Sequence, residues 1–157
     1  MKTKIKPFLV FILICLHFFQ NKYISSTWFS IDFTYLIIVF VALKSSIIKT
    51  GFTATSIGLM NDFLSGGILG VFGFSRTLIS FIVKGLLVFI DLKKGFYVFM
   101  IITISLSASN LISNFLMYLI LDYPINLSFV LLQPVFTGLT GYFILKSSYI
   151  KKQLDVY

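Results

Sequence analysis

The chain has 157 residues, 58% of them hydrophobic and only 11% charged, with a net charge of +8. A soluble domain carries about 45–50% apolar and about 25% charged residues, so a water-soluble fold this small would lack the polar side chains to cover itself. The basic residues lie between apolar runs and form no continuous stripe, which excludes nucleic acid as the reason for the charge. The single cysteine, Cys15, excludes an intramolecular disulfide and a cysteine metal cluster.

Six apolar runs follow one another at residues 7–24, 29–43, 50–64, 70–90, 96–121 and 126–146. About 20 helical residues cross the roughly 30 Å of hydrocarbon, and runs this long and continuous do not alternate as barrel strands do. The expectation is therefore an all-α fold, a compact bundle of six transmembrane helices forming a single integral-membrane domain. Its connections are short, which favours antiparallel neighbours.

Lysine placement predicts the orientation. Lys2, Lys4 and Lys6 precede the first run, Lys44 and Lys49 fall in the second connection, and Lys93 and Lys94 fall in the fourth. Lys146, Lys151 and Lys152 follow the last run, whereas the opposite connections offer only Lys22. Six spans put both termini and every basic cluster in the cytoplasm, as the positive-inside rule asks. The first run also has the basic start of a signal peptide, but HFFQNKYISSTW behind it lacks a small-x-small cleavage site, so a retained span is expected.

Few residues invite chemistry. His17 is the only histidine and the chain has no glutamate, so a zinc site is not expected and His17 is read as a packed residue. The Ser46–Lys49 and Ser148–Lys151 pairs match a serine–lysine spacing, but both sit at helix ends rich in serine and lysine, where chance suffices. No phosphate-cradling glycine loop is present. No catalytic, cofactor-binding or metal-binding residue is assigned, and the chain is not expected to be an enzyme.

The fifth run carries Ser105, Ser109 and Ser113 every four residues, with Asn110 and Asn114 at the same spacing. On a helix these form a small-residue seam beside a polar one, suited to internal packing or to a ligand- or partner-facing groove. Gln133-Pro134 in the sixth run should bend that helix and free a carbonyl for another partner. Thr137, Gly138, Thr140 and Gly141 offer a second close-packing face. Lys84 is expected to snorkel towards the cytoplasmic surface.

The segment GFTATSIGLMNDFLSGGILGVFGFSRTLISF, from Gly51 to Phe81, places Asp62 and Arg76 within apolar and small residues. Charges at membrane depth are costly and usually face the bundle interior, pair, or mark a functional site. An ion pair between Asp62 and Arg76 across the third and fourth helices is the expectation. Asp62 also sits just ahead of the fourth helix, whose N-terminus favours a negative charge.

The run from Gly58 to Phe74 resembles the signature of the bacterial rod shape-determining protein MreD family, approximately G-L-L-x-D-x-x-x-G-x-x-x-G-x-x-x-[LF]. Gly58, Asp62, Gly66 and Gly70 match it. The resemblance is closest over residues 51–85 and extends loosely along the whole chain. It implies a non-enzymatic multi-pass protein of the bacterial cytoplasmic membrane that helps to maintain rod shape and direct peptidoglycan synthesis. It implies MreC as a membrane partner and, indirectly, MreB, RodA and a class B penicillin-binding protein. The partner-binding or structural positions would then be Gly58, Asp62, Gly66, Gly70, Arg76, Ser105, Ser109, Asn110 and Asn114. The competing reading is a substrate-binding S-component of an energy-coupling-factor vitamin transporter. Such components carry an Ala-x-x-x-Ala surface on the first helix, and FLVFILICLHFF has no alanine.

Overall fold

A computed structural model describes residues 14, 15, 17, 30–65, 68–87 and 95–146. Among the described residues the chain is all-α, with helices α1 Phe33–Lys44, α2 Ile47–Ser65, α3 Val71–Leu86, α4 Gly95–Leu121 and α5 Leu127–Lys146. Of the first expected span, Ile14, Cys15 and His17 are described as helical and the rest lies outside the described residues.

The helix ends follow from local chemistry. Asp32 caps α1, its carboxylate accepting from the Tyr35 amide at 2.9 Å. Such a cap satisfies one of the amides that a helix start leaves unpaired. Asp122 at the end of α4 adopts a left-handed backbone (φ 52°), and Pro124 follows it, where a helix cannot continue. Asn126 then caps α5, its side-chain oxygen accepting from the Phe129 amide at 3.2 Å.

Helices α2 and α3 run antiparallel, because Asp62 meets the start of α3, Thr55 meets Thr77 at 2.7 Å, and Gly51 lies against Phe81. Helices α4 and α5 form a second antiparallel pair, and α3 packs on α4. Helix α1 contacts the other four. Its residues Tyr35, Leu36, Ile38 and Val39 form the main apolar core with Ala54, Ile102 and Leu106. A smaller cluster joins Ala42, Ile79, Val83 and Ile101 nearer the lysine-bearing end.

Two helices, Phe96–Leu121 and Leu127–Ile144, are long and apolar enough to cross a membrane. The others fall short of the six-span expectation for separate reasons. At 1.5 Å per residue, α1 spans only about 18 Å and α3 about 24 Å. Helix α2 has 19 residues, but Lys49, Asp62 and several threonines, serines and glycines dilute its apolar character.

Many polar side chains share the interior with the apolar core, and large apolar side chains cover much of the outside. Helix α5 buries Gln133, Thr137, Gly138 and Gly141, while Leu131, Val135, Leu139 and Phe143 are exposed on the other side. Helix α4 buries Ser105, Ser109, Asn110 and Ser113 while Ile104, Leu111 and Phe115 are exposed. On α2, Phe52 and Phe63 are each 76% exposed whereas Asp62, beside Phe63, is 1% exposed.

Candidate functional site

The buried centre of the bundle is a polar hub built on Asp32. One carboxylate oxygen accepts from Thr34 Oγ1 at 2.6 Å and from the Tyr35 amide, and the other is paired with the Arg76 guanidinium. Arg76 also donates to Thr34 Oγ1 at 2.9 Å, and its guanidinium carbon lies 5.6 Å from the centre of the Phe72 ring. The Asp32 amide donates to Thr137 Oγ1 of α5 at 2.9 Å, and Asn61 of α2 reaches Thr34 at 3.3 Å. His17 Nδ1 stands 3.9 Å from the Asp32 carboxylate. The start of α1 is thus tied to α2, α3 and α5 at one point. Asp32 and Arg76 are 1% and 2% exposed, so the two charges compensate each other out of contact with solvent.

This corrects the expected Asp62–Arg76 pair. Arg76 takes Asp32, and Asp62 serves another purpose. Gly70, the residue that opens α3, has no side chain with which to cap the helix. Asp62 supplies the missing acceptor from the preceding helix: its oxygens accept from the amides of Gly70 at 3.0 Å, Phe72 at 2.9 Å and Gly73 at 3.0 Å. Phe72 and Gly73 are the positions an N-cap side chain ordinarily serves. The expected placement of a negative charge at this helix start therefore stands.

Two glycines on either side of Asp62 make that reach possible. A Cβ added to Gly58 would lie 2.6 Å from Gly73 Cα and 2.6 Å from the Phe72 carbonyl oxygen, so α2 and α3 touch backbone to backbone. Gly70 has φ +103°, a left-handed conformation that glycine adopts without strain. Gly66 lies outside the described residues.

The α4 seam is internal. Ser113 bonds Ser75 of α3 at 2.7 Å, and Asn110 donates to Gln133 Oε1 at 2.9 Å and to the Phe129 carbonyl at 2.8 Å. Ser105 and Ser109 are buried. Ser105, Ser109 and Asn110 are therefore unavailable as an outward docking face, because each is buried within the bundle. Asn114 is half-buried, holding the Asn110 carbonyl at 2.8 Å and accepting from the Asn126 amide at 3.3 Å. It borders an open groove of about 510 Å³ lined also by Phe72, Ser113, Tyr123, Asn126 and Phe129.

Helix α5 continues through Pro134. Proline has no amide hydrogen to give to the carbonyl four residues back. That carbonyl, Val130 O, accepts from Ser107 Oγ of α4 at 2.9 Å, as the sequence led one to expect of a freed carbonyl. Gly138 and Gly141 bring the two helices together: a Cβ on Gly138 would lie 2.2 Å from Thr103 Oγ1, and one on Gly141 would lie 2.5 Å from Ile102 Cδ1. Lys84, expected to snorkel outward, instead donates from Nζ to the Ala42 carbonyl at 2.6 Å, closing the C-terminal end of α1.

Asp32 is not among the residues that the sequence singles out. Its signal was local: an aspartate directly ahead of an apolar helical run. No sequence pattern joins it to an arginine 44 positions away.

The fold and site define an all-α bundle with a polar, charge-compensated interior and two helices able to cross a membrane. The chain matches no family model, no curated protein and no solved structure.

Proposed function

We propose that this chain is a six-span protein of the bacterial cytoplasmic membrane, both termini cytoplasmic, that acts without catalysis in cell elongation as MreD-family proteins do. It would bind MreC and thereby help to connect MreB filaments to RodA and a class B penicillin-binding protein. The observation that carries this reading is that the MreD-like signature is one physical device. Gly58 lets α2 meet α3, Asp62 reaches across to cap α3, and Gly70 makes the turn without strain.

The many exposed apolar side chains around a hydrogen-bonded polar interior support immersion in lipid. With no water to satisfy them, polar groups pair inside, and apolar side chains face the hydrocarbon. Hydrogen-bonded seams and close glycine contacts replace the hydrophobic drive that lipid removes. Among the described residues suggested by sequence for docking, Asn114 borders an open groove, and we infer that a partner helix docks there.

The test is affinity purification of the tagged chain from gently solubilised membranes, with Tyr123→Ala as the groove variant because Tyr123 is exposed on the groove wall. MreC should co-purify with the parent chain and be reduced with the variant, while both insert equally. Absence of MreC, together with saturable vitamin uptake that depends on this chain, would replace the reading by the transporter S-component.

A further inference from the structure

His17 and Arg76 are the only histidine and the only arginine of the chain, whose other basic side chains are all lysine. Both meet the same carboxylate. Asp32 turns one oxygen to the Arg76 guanidinium and the other towards His17 Nδ1, 3.9 Å away. The His17 ring is also hydrogen-bonded to the Ile31 carbonyl. It therefore lies between two acceptors, a carbonyl and a carboxylate. A neutral imidazole carries one N–H and an imidazolium carries two. The separation from Asp32 is longer than a hydrogen bond, as fits a ring with one proton to give. A second N–H would turn that approach into a charge-assisted bond.

The surroundings leave Asp32 as the countercharge for any proton taken up here. Among the described residues, the titratable and charged groups gathered with His17 are Asp32 and Tyr35 at the start of α1 and Arg76 from α3. Helix α2 sends the neutral Asn61, and its Asp62 is committed to the amides at the start of α3. Helices α4 and α5 send hydroxyls, Ser105 to the Tyr35 hydroxyl and Thr137 to the Asp32 amide. With His17 neutral, Asp32 and Arg76 cancel. With His17 charged, one carboxylate faces two cations in a site where His17, Asp32 and Arg76 are 5%, 1% and 2% exposed. A purely structural ion pair has no use for a third ionisable group at that depth, whereas proton relays in membranes are built from such carboxylate and histidine groups.

We propose that His17 and Asp32 form a proton-binding site in the interior of the bundle. The proton comes from water and adds to the lone pair of a ring nitrogen, and no covalent bond of the chain breaks. Loading draws the carboxylate towards the imidazolium. Arg76 then shares its partner, and the tie between the start of α1 and α3 loosens. The site is independent of the partner reading above, which makes no use of His17.

The experiment is heteronuclear NMR of the full chain in detergent micelles, isotopically labelled at histidine and arginine and purified with a histidine-free tag. One imidazole and one guanidinium then supply all the signals. The His17 ring should titrate between about pH 4 and about pH 9, and the Arg76 Nε–H signal should shift with the same midpoint. D32N removes the countercharge and should lower that midpoint by about 1–3 pH units. R76M removes the competing cation and should raise it by a similar amount. H17Q keeps the hub neutral and should fold even where the charge variants do not, and in it the Arg76 signal should stay flat across the same range. A ring that does not titrate, a midpoint that neither D32N nor R76M moves, or an Arg76 signal that still follows pH in H17Q would overturn the proposal.

Discussion

Removing either member of the Asp32–Arg76 pair strands the other in a site that is nearly solvent-free. In Arg76→Met the Asp32 carboxylate keeps the Thr34 hydroxyl and the Tyr35 amide, with His17 Nδ1 3.9 Å away. In Asp32→Asn the guanidinium keeps Thr34 Oγ1 and the Phe72 ring face. Breaking a buried pair in this way costs about 3–5 kcal/mol, against a total stability of about 5–15 kcal/mol for a typical domain. The double variant removes both charges and should be at least about 2 kcal/mol more stable than the sum of the single losses predicts. Asp62→Asn should cost about 1–3 kcal/mol through its lost amide bonds. Combined with Arg76→Met it should couple far less than Asp32 does, because Asp62 and Arg76 both touch Phe72 but form no ion pair with each other. Pulse proteolysis across an SDS titration in mixed micelles measures all five variants. Strong coupling of Asp62 to Arg76, with additivity of Asp32 and Arg76, would refute the assignment of partners.

Gly58→Ala should destabilise by about 1–3 kcal/mol because the new methyl meets backbone, whereas Gly85→Ala, with nothing within 4 Å, should be neutral or slightly stabilising in the same titration. Ser107→Ala should cost about 0.6 kcal/mol, at most about 2, by leaving the Val130 carbonyl unpaired. In a Pro134→Ala background, which restores the amide donor, that cost should fall towards zero in a double-mutant cycle. In a Cys15→Ser background, a membrane-impermeant thiol reagent should label Asp122→Cys in intact cells, and Lys49→Cys only after permeabilisation. The reverse pattern would contradict the orientation.

The helices were legible from apolar run length, and all five described helices begin and end within about four residues of expectation. The last residues of the expected run 70–90 lie outside the described residues. Span length was less legible, because a run such as 29–43 does not show that Asp32 caps the helix and leaves α1 short. The Ser105–Ser113 and Asn110–Asn114 seams were visible through their four-residue period, as was the freed carbonyl at Pro134. Which way those seams face was not, since periodicity identifies a face without naming the neighbour. The interior charge pair was least legible. Proximity along the chain favoured Asp62 for Arg76, but Asp62 is held by three backbone amides and Arg76 is met by the cap of a helix distant in sequence.

The most direct measurement of the central claim is cell shape on controlled depletion of this chain, with re-expression of the parent sequence or of Tyr123→Ala from a second locus. Depleted cells should round up, the parent should restore rods, and Tyr123→Ala should insert at normal levels yet restore them poorly. Cells that keep their rod shape and their pattern of peptidoglycan insertion when the chain is gone would contradict a role in elongation.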